Sequence, residues 1–181
     1  MSVFTEYTIE SAPAASRRAM TAVRDHLGYL PSAAARWAEF PSLLDAFARM
    51  NALFEGSTLD PLARETLIMT VAVRNGCDLC VSIHTAQLRS AGASEEVIEA
   101  LRSGSALADS RLEAVRSFTT KLLDTTGKPG DDAIRAFLDA GFTRRNALEV
   151  VLGIGTYTMS TFANRLTDAR DDFPAASALP A

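Results

Sequence analysis

Apolar residues recur at helical spacing along most of the chain. Ala19, Met20, Val23 and Leu27 form a 3.6-period stripe between Pro13 and Gly28 and predict a first helix over 13–27. Tyr29-Leu30-Pro31 breaks it. Ser32 is then expected to cap a short helix through Ala38, and Pro41 to start another through Glu55 that carries Leu43, Leu44, Phe47, Met50, Leu53 and Phe54. Asp60 as N-cap with proline at the first helical position opens a helix from Pro61 to about Asn75. Asn75-Gly76 reads as its stop, because glycine takes the left-handed conformation at little steric cost, so the next helix starts at Cys77 and runs to the Gly92 boundary.

The second half repeats this punctuation. Ser94 followed by Glu95 and Glu96 predicts a short helix that Gly104 stops, since acids in a first turn balance the helix dipole. Ser110-x-x-Glu113 has capping-box form and leads a helix through Leu112, Val115, Phe118, Leu122 and Leu123 to near Thr126. After the Thr126–Gly130 loop, Asp131 is expected to cap a helix through Ala140, and Thr143 the last and longest, over 144–169. That helix is strongly apolar, and Gly153, Gly155, Ser160 and Ala163 would let another helix approach closely, as core or as oligomer interface. No segment alternates with period 2 between hairpin turns, which leaves an all-α helical bundle. One domain over 1–181 is expected, with a possible extended arm at 1–12 and a flexible tail at 171–181; the Arg170-Asp171-Asp172 group at its start is read as solvated.

Composition narrows the function. Hydrophobic residues at 48% and charged residues at 22% are an ordinary globular balance, and a formal charge of −4 gives no electrostatic reason to bind nucleic acid. No apolar run reaches the length of a membrane span, and the first residues lack a basic n-region and apolar h-region, so a cytoplasmic protein without a membrane partner is expected. In that reducing compartment two cysteines three apart point to catalysis or metal binding rather than to a static cross-link.

Those two cysteines are the only ones in the chain, and they stand as Cys77-x-x-Cys80 ahead of His84, one of two histidines. On a helix, 77, 80 and 84 share a face, which would bring the imidazole beside the Cys80 sulfur. Unpaired N–H groups at the helix start favour thiolate over thiol. If the helices before and after Gly76 fold back on each other, Glu65 and His84 differ in height by roughly 4–5 Å, so the carboxylate can face the ring and raise its basicity. Blander readings exist for each residue. The cysteines are also small buried hydrophobes, Glu65 is also a first-turn acid, and Cys77, Cys80, His84 and Glu65 could in principle ligate zinc, although structural zinc usually draws a second close pair that this chain lacks. His26 has no partner motif and is read as a surface residue near a helix C-terminus, and Trp37, Tyr157 and the phenylalanines as core or interface aromatics.

Glu65-x11-Cys77-x2-Cys80-x3-His84 resembles the signature of the alkylhydroperoxidase D (AhpD)-like branch of the carboxymuconolactone decarboxylase superfamily. The resemblance covers a motif core at 40–105 well and, more loosely, the whole helical chain, including a late helix ending in Asn164-Arg165. It implies a thiol-dependent peroxidase or disulfide oxidoreductase in antioxidant defence, acting on a hydroperoxide or a disulfide. Cys80 is implied as the attacking thiolate and Cys77 as the resolving thiol, with His84 and Glu65 as a proton relay, although Cys77 lies nearer the helix start and is physically also a candidate for attack. No cofactor or metal is implied. Regeneration would come from an external dithiol reductant, a lipoyl or thioredoxin-like protein, and the assembly would be a homo-oligomer, a trimer or hexamer. One position departs from the best-studied type, which has histidine immediately before the second cysteine where this chain has Leu79. Alternatives are a non-redox carboxymuconolactone decarboxylase-like lyase and a helical interaction protein whose dithiol senses redox state.

Overall fold

The computed structural model describes residues 2–173. Among them the chain forms nine helices and no strand: α1 (Ala14–Leu27), α2 (Ser32–Trp37), α3 (Pro41–Glu55), α4 (Pro61–Arg74), α5 (Asp78–Ser90), α6 (Glu95–Ser103), α7 (Ser110–Asp124), α8 (Asp131–Asp139) and α9 (Arg144–Thr167). The all-α expectation holds. No helix among the described residues is long and apolar enough to cross a membrane.

The bundle is built around α4. Its Leu67, Ile68, Met69, Val71 and Ala72 are fully buried, because α5, α6, α7 and α9 all pack against it. The largest core joins α4 to α3, α7, α8 and α9 through Phe54, Leu67, Val115, Phe118, Phe137 and Tyr157. A second joins Met20 of α1, Trp37 of α2, Leu44 of α3 and Ala163 of α9, and a third lies between α4, α5 and α6. A fourth, small cluster holds the two cysteines with Ala72 and Leu79, and Ala169 and Phe173 lie against it.

The helix starts follow the expected chemistry at Asp60, Ser94 and Thr143, each of which accepts a hydrogen bond from a first-turn N–H. At Thr143 the box is completed by Asn146, whose side chain accepts from the Thr143 N–H. Three caps differ. Asp109, not Ser110, caps α7 by accepting from the Arg111 and Leu112 N–H groups, and Glu113 instead accepts from Leu107 N and pairs with Arg116. A carboxylate one residue upstream outcompetes the hydroxyl because its hydrogen bonds are charge-assisted. Gly130, at φ 86°, precedes α8, so Asp131 is its first helical residue. Ser32 is the first residue of α2 rather than its cap, and its N–H donates to Asp172 Oδ2 at 2.7 Å, a capping acceptor brought from the far end of the chain.

The termini are also more tied down than expected. Residues 2–12 pack on their own chain: Tyr7 N donates to Ala35 O, Ser2 Oγ to Thr167 O, and Glu6 pairs with Arg36 and Arg170. The Arg170-Asp171-Asp172 group is not a solvated tail. Ser82 Oγ donates to Asp171 Oδ2, and Asp172 holds Ser32, which straps this segment across the start of α5. The remainder of the expected tail, 174–181, lies outside the described residues.

A candidate dithiol active site

Gly76 makes the hairpin that builds the site. At φ 63° it adopts the left-handed conformation, which glycine takes with least strain, and a Cβ there would come within 3.2 Å of the Arg165 guanidinium, so a larger residue would have to displace that side chain. Cys77 is the N-cap of α5 and Cys80 lies in its first turn. Both side chains are buried, and the two unbonded sulfurs are 2.7 Å apart.

At that distance one thiol donates to the other sulfur. A hydrogen bond from Cys80 brings the Cys77 thiol down to about 7, with smaller help from the Cys80 backbone N–H and from Asn164, against burial and the nearby Asp78 carboxylate, which push it up. Cys80 is pushed up, first because it is the donor to Cys77 and then by burial. The pair therefore loses its first proton near neutrality and holds the second, as two strongly coupled acids do. Asn164 of α9 serves both sulfurs: its Nδ2 lies 3.3 Å from Cys80 Sγ and 3.7 Å from Cys77 Sγ. The Ser160 hydroxyl, one turn earlier, also favours the Cys80 thiolate.

Glu65 and His84 meet at the α4–α5 interface. Glu65 Oε2 lies 2.8 Å from His84 Nδ1, with both side chains nearly nine-tenths buried. The contact fixes the ring and leaves Nε2 as the nitrogen available for proton exchange. Tyr157 of α9 stands edge-on to the imidazole at 5.3 Å between centroids, and its hydroxyl donates to Asn51. Burial, then the Glu65 charge, pushes the Tyr157 phenol well above its usual range.

The structure thus brings Cys77 to Cys80 and Glu65 to His84. Among the described residues no hydrogen bond joins His84 to either sulfur, although 77, 80 and 84 lie along α5 as expected; Asn164 occupies the partner position that the sequence suggested for the imidazole. No group of three or more histidine, cysteine, aspartate or glutamate side chains among the described residues could hold a metal ion, so the four motif residues do not converge as zinc ligands. His26 is exposed near the end of α1, away from this site. In the sequence Asn164 and Ser160 stand only as part of a late packing helix. Their distance along the chain hides them, and the one available signal was that polar side chains stand on the buried face of an otherwise apolar helix.

The site thus sets a CxxC pair at a helix start beside a Glu–His pair in an all-helical bundle. Residues 38–120 match the Carboxymuconolactone decarboxylase family. The fold is similar to that of an uncharacterized peroxidase-related protein from Ralstonia eutropha JMP134 described as an alkylhydroperoxidase AhpD core, with TM-score 0.81 and 20% identity over 97% of this chain and 93% of that one. A peroxidase-related protein from Silicibacter sp. TM1040 gives 0.77 and 20% over 97% and 91%. The debrominase Bmp8, solved as a cysteine-to-alanine variant with 2,3,4-tribromopyrrole, gives 0.76 and 13% over 96% and 93%. No curated protein matches the sequence significantly. At these identities the solved structures establish the fold, and with the family match they bear out the resemblance to the AhpD-like branch of the carboxymuconolactone decarboxylase superfamily.

Proposed function

We propose that this chain is a thiol-dependent oxidoreductase that reduces hydroperoxides or disulfides with the Cys77–Cys80 pair, in antioxidant defence. The observation that carries the reading is the unbonded pair at 2.7 Å, whose first proton leaves at about 7, standing on a hairpin that also holds Glu65 against His84. A thiolate attacks the hydroxyl oxygen of the hydroperoxide, the O–O bond breaks, and the alkoxide leaves as an alcohol after taking a proton. The resulting sulfenic acid is attacked by the second sulfur, which forms the disulfide and releases water. His84, oriented by its contact with Glu65, exchanges protons between the site and solvent. An external dithiol, a lipoyl or thioredoxin-like protein, restores both thiols by exchange. The resemblance carries the attack to Cys80 and the resolution to Cys77; the net reaction is the same in either order, and access to the two sulfurs decides between them. No cofactor or metal takes part. The setting proposed is the cytoplasm, and the working form a homo-oligomer, a trimer or hexamer, through the outer face of α9.

Thiol titration before and after one equivalent of cumene hydroperoxide tests this. Loss of two thiols per chain, with an internal Cys77–Cys80 disulfide and one equivalent of alcohol, is expected. A thiol count unchanged by hydroperoxide and by small disulfides would overturn the reading. A second reading uses the same pair: the similarity to a debrominase suggests reductive removal of bromide, in which a dithiol becomes a disulfide while C–Br becomes C–H and hydrogen bromide is released. Bromide release from 2,3,4-tribromopyrrole with loss of two thiols, and none with hydroperoxide, would favour it.

A further inference from the structure

A cavity of about 420 Å³ opens between the start of α5 and the end of α9, where buried Cys77 is joined by exposed Asp78, Asp168, Asp171 and Arg165. Three carboxylates thus line it with one guanidinium, which is held by the Asn75 carbonyl. A second cavity, of about 370 Å³, shares Gly76 and Asp78 and adds Glu99 and Arg102, whose guanidinium donates to Thr85 Oγ1. Arg170, between Asp168 and Asp171 in the chain, pairs with Glu6 instead. Acids outnumber bases at both openings. The start of α5 opposes them with roughly half a positive charge from the helix dipole. Asp78 in its first turn more than offsets that share, and Asp168 and Asp171 remain in excess of Arg165. The Asp78 charge is already felt at the sulfur, where it is among the causes that push the Cys77 thiol up.

We infer that this rim sorts what reaches the dithiol by charge: it admits uncharged and cationic hydroperoxides and disulfides and turns away those that carry a carboxylate or sulfonate close to the reacting bond. The inference rests on the thiol-oxidoreductase reading above and adds its substrate class. It holds whichever sulfur attacks, since the two lie 2.7 Å apart. Charges at the mouth of a cleft act on an incoming ion over about 10 Å at 0.1 M salt, and low-dielectric walls focus their field enough to change encounter rates by about 10- to 10³-fold. The bonds made and broken are those given above; the rim changes only how often a reactant arrives. Regeneration follows the same rule. The external dithiol attacks as a thiolate and already brings one negative charge, so its sulfurs are best carried on an uncharged or cationic arm.

Methanethiosulfonates whose two-carbon tails differ only in ending in trimethylammonium, hydroxyl or sulfonate test this on the reduced protein. A thiolate forms a mixed disulfide with the tail sulfur and expels methanesulfinate, and the neighbouring thiol then closes the Cys77–Cys80 disulfide and releases the tail as a thiol. The ratio of cationic to anionic rates, divided by the same ratio for 2-mercaptoethanol, should be about tenfold or more at low salt. It should shrink by about threefold or more at ~0.5 M salt, where the rim is screened. Asp168→Asn with Asp171→Asn should lower the low-salt ratio by about threefold or more and leave the hydroxyl-tailed reagent unaffected. Asparagine tolerates the left-handed φ of 56° at position 168, and at 171 its amide oxygen still accepts from Ser82, so the fold is kept. A corrected wild-type ratio near one, or a ratio that neither salt nor the double substitution moves, would overturn the inference. Cumene hydroperoxide and its para-carboxylate separate this from the reading beneath it. Faster consumption of the uncharged compound, by about tenfold or more at low salt, is expected. Equal consumption of the two would overturn the rim and leave the peroxidase reading standing. Sorted thiosulfonates with neither hydroperoxide consumed would refute the peroxidase reading and uphold the rim as a filter for disulfides.

Discussion

Two sulfurs 2.7 Å apart cannot both carry a charge, and this sets how the site responds to pH. With the Cys77 thiol lowered from 9.0 to about 7, the rate of alkylation should fall tenfold per pH unit below that value and level off above it. Iodoacetamide kinetics across pH 5–10 read the profile directly, and a midpoint near 9 would mean that the pair does not share its proton. The Glu65–His84 contact makes a different demand. Glu65→Gln keeps a hydrogen bond to the ring but removes the carboxylate through which a proton can pass, so hydroperoxide turnover should drop by about 10²-fold or more while the thiol count and the alkylation rate stay unchanged. A proportional fall in alkylation would make the pair a structural support for the thiols instead. The four motif residues could be found in the sequence because spacing on two adjacent helices is local information. Asn164 could not, because its 3.3 Å approach to Cys80 depends on how α9 crosses α5, a matter of tertiary packing that no window of sequence contains.

At the scale of elements, most helix boundaries could be read because proline, glycine and short polar side chains act on the backbone within a few residues. The caps that differ lie where two candidates stand side by side: Asp109 with Ser110, and Gly130 with Asp131. Local pattern shows that a helix starts there, but geometry chooses which residue caps it. The small residues of α9 were legible as a close-approach surface without its partner, and the structure shows that they differ. A Cβ on Gly153 would lie 2.6 Å from Phe54 Cε2 and 2.9 Å from Leu67 Cδ2, both fully buried, whereas one on Gly155 would meet Met50 Cε at an ordinary 3.8 Å. The same substitution should therefore have opposite signs two residues apart. Gly155→Ala should stabilise by up to about 1 kcal/mol through helix propensity. Gly153→Ala should have the same gain outweighed by overpacking of about 1–3 kcal/mol or more. Thermal denaturation of the two variants distinguishes them, and a higher midpoint for Gly153→Ala would show that Phe54 can move aside.

For the whole molecule, α9 carries two opposed faces. Its inner face supplies Asn164, Ser160 and Tyr157 to the site, and its outer face leaves Leu148, Val151, Phe162 and Leu166 from 51% to 73% exposed. Single exposed apolar side chains are ordinary, but four large ones along a single helix form a stripe, and continuous apolar stripes mark contact surfaces. A second copy of the chain is the occupant that fits the proposed assembly, because a self-association surface needs no charge complement and these four positions present none. Phe162→Glu together with Leu166→Glu places like charges opposite one another in any such contact, and wild-type sedimentation should show an oligomer that this variant reduces to monomer. Both side chains are exposed and neither touches the cysteines, so the alkylation rate of Cys77 should stay within about twofold in the monomer if the site is complete in one chain. A wild type that sediments as a monomer at every concentration would refute the assembly. A monomeric variant with an inert Cys77 would show instead that the packing of α9 against its neighbours in the oligomer is what holds Asn164 on the sulfurs.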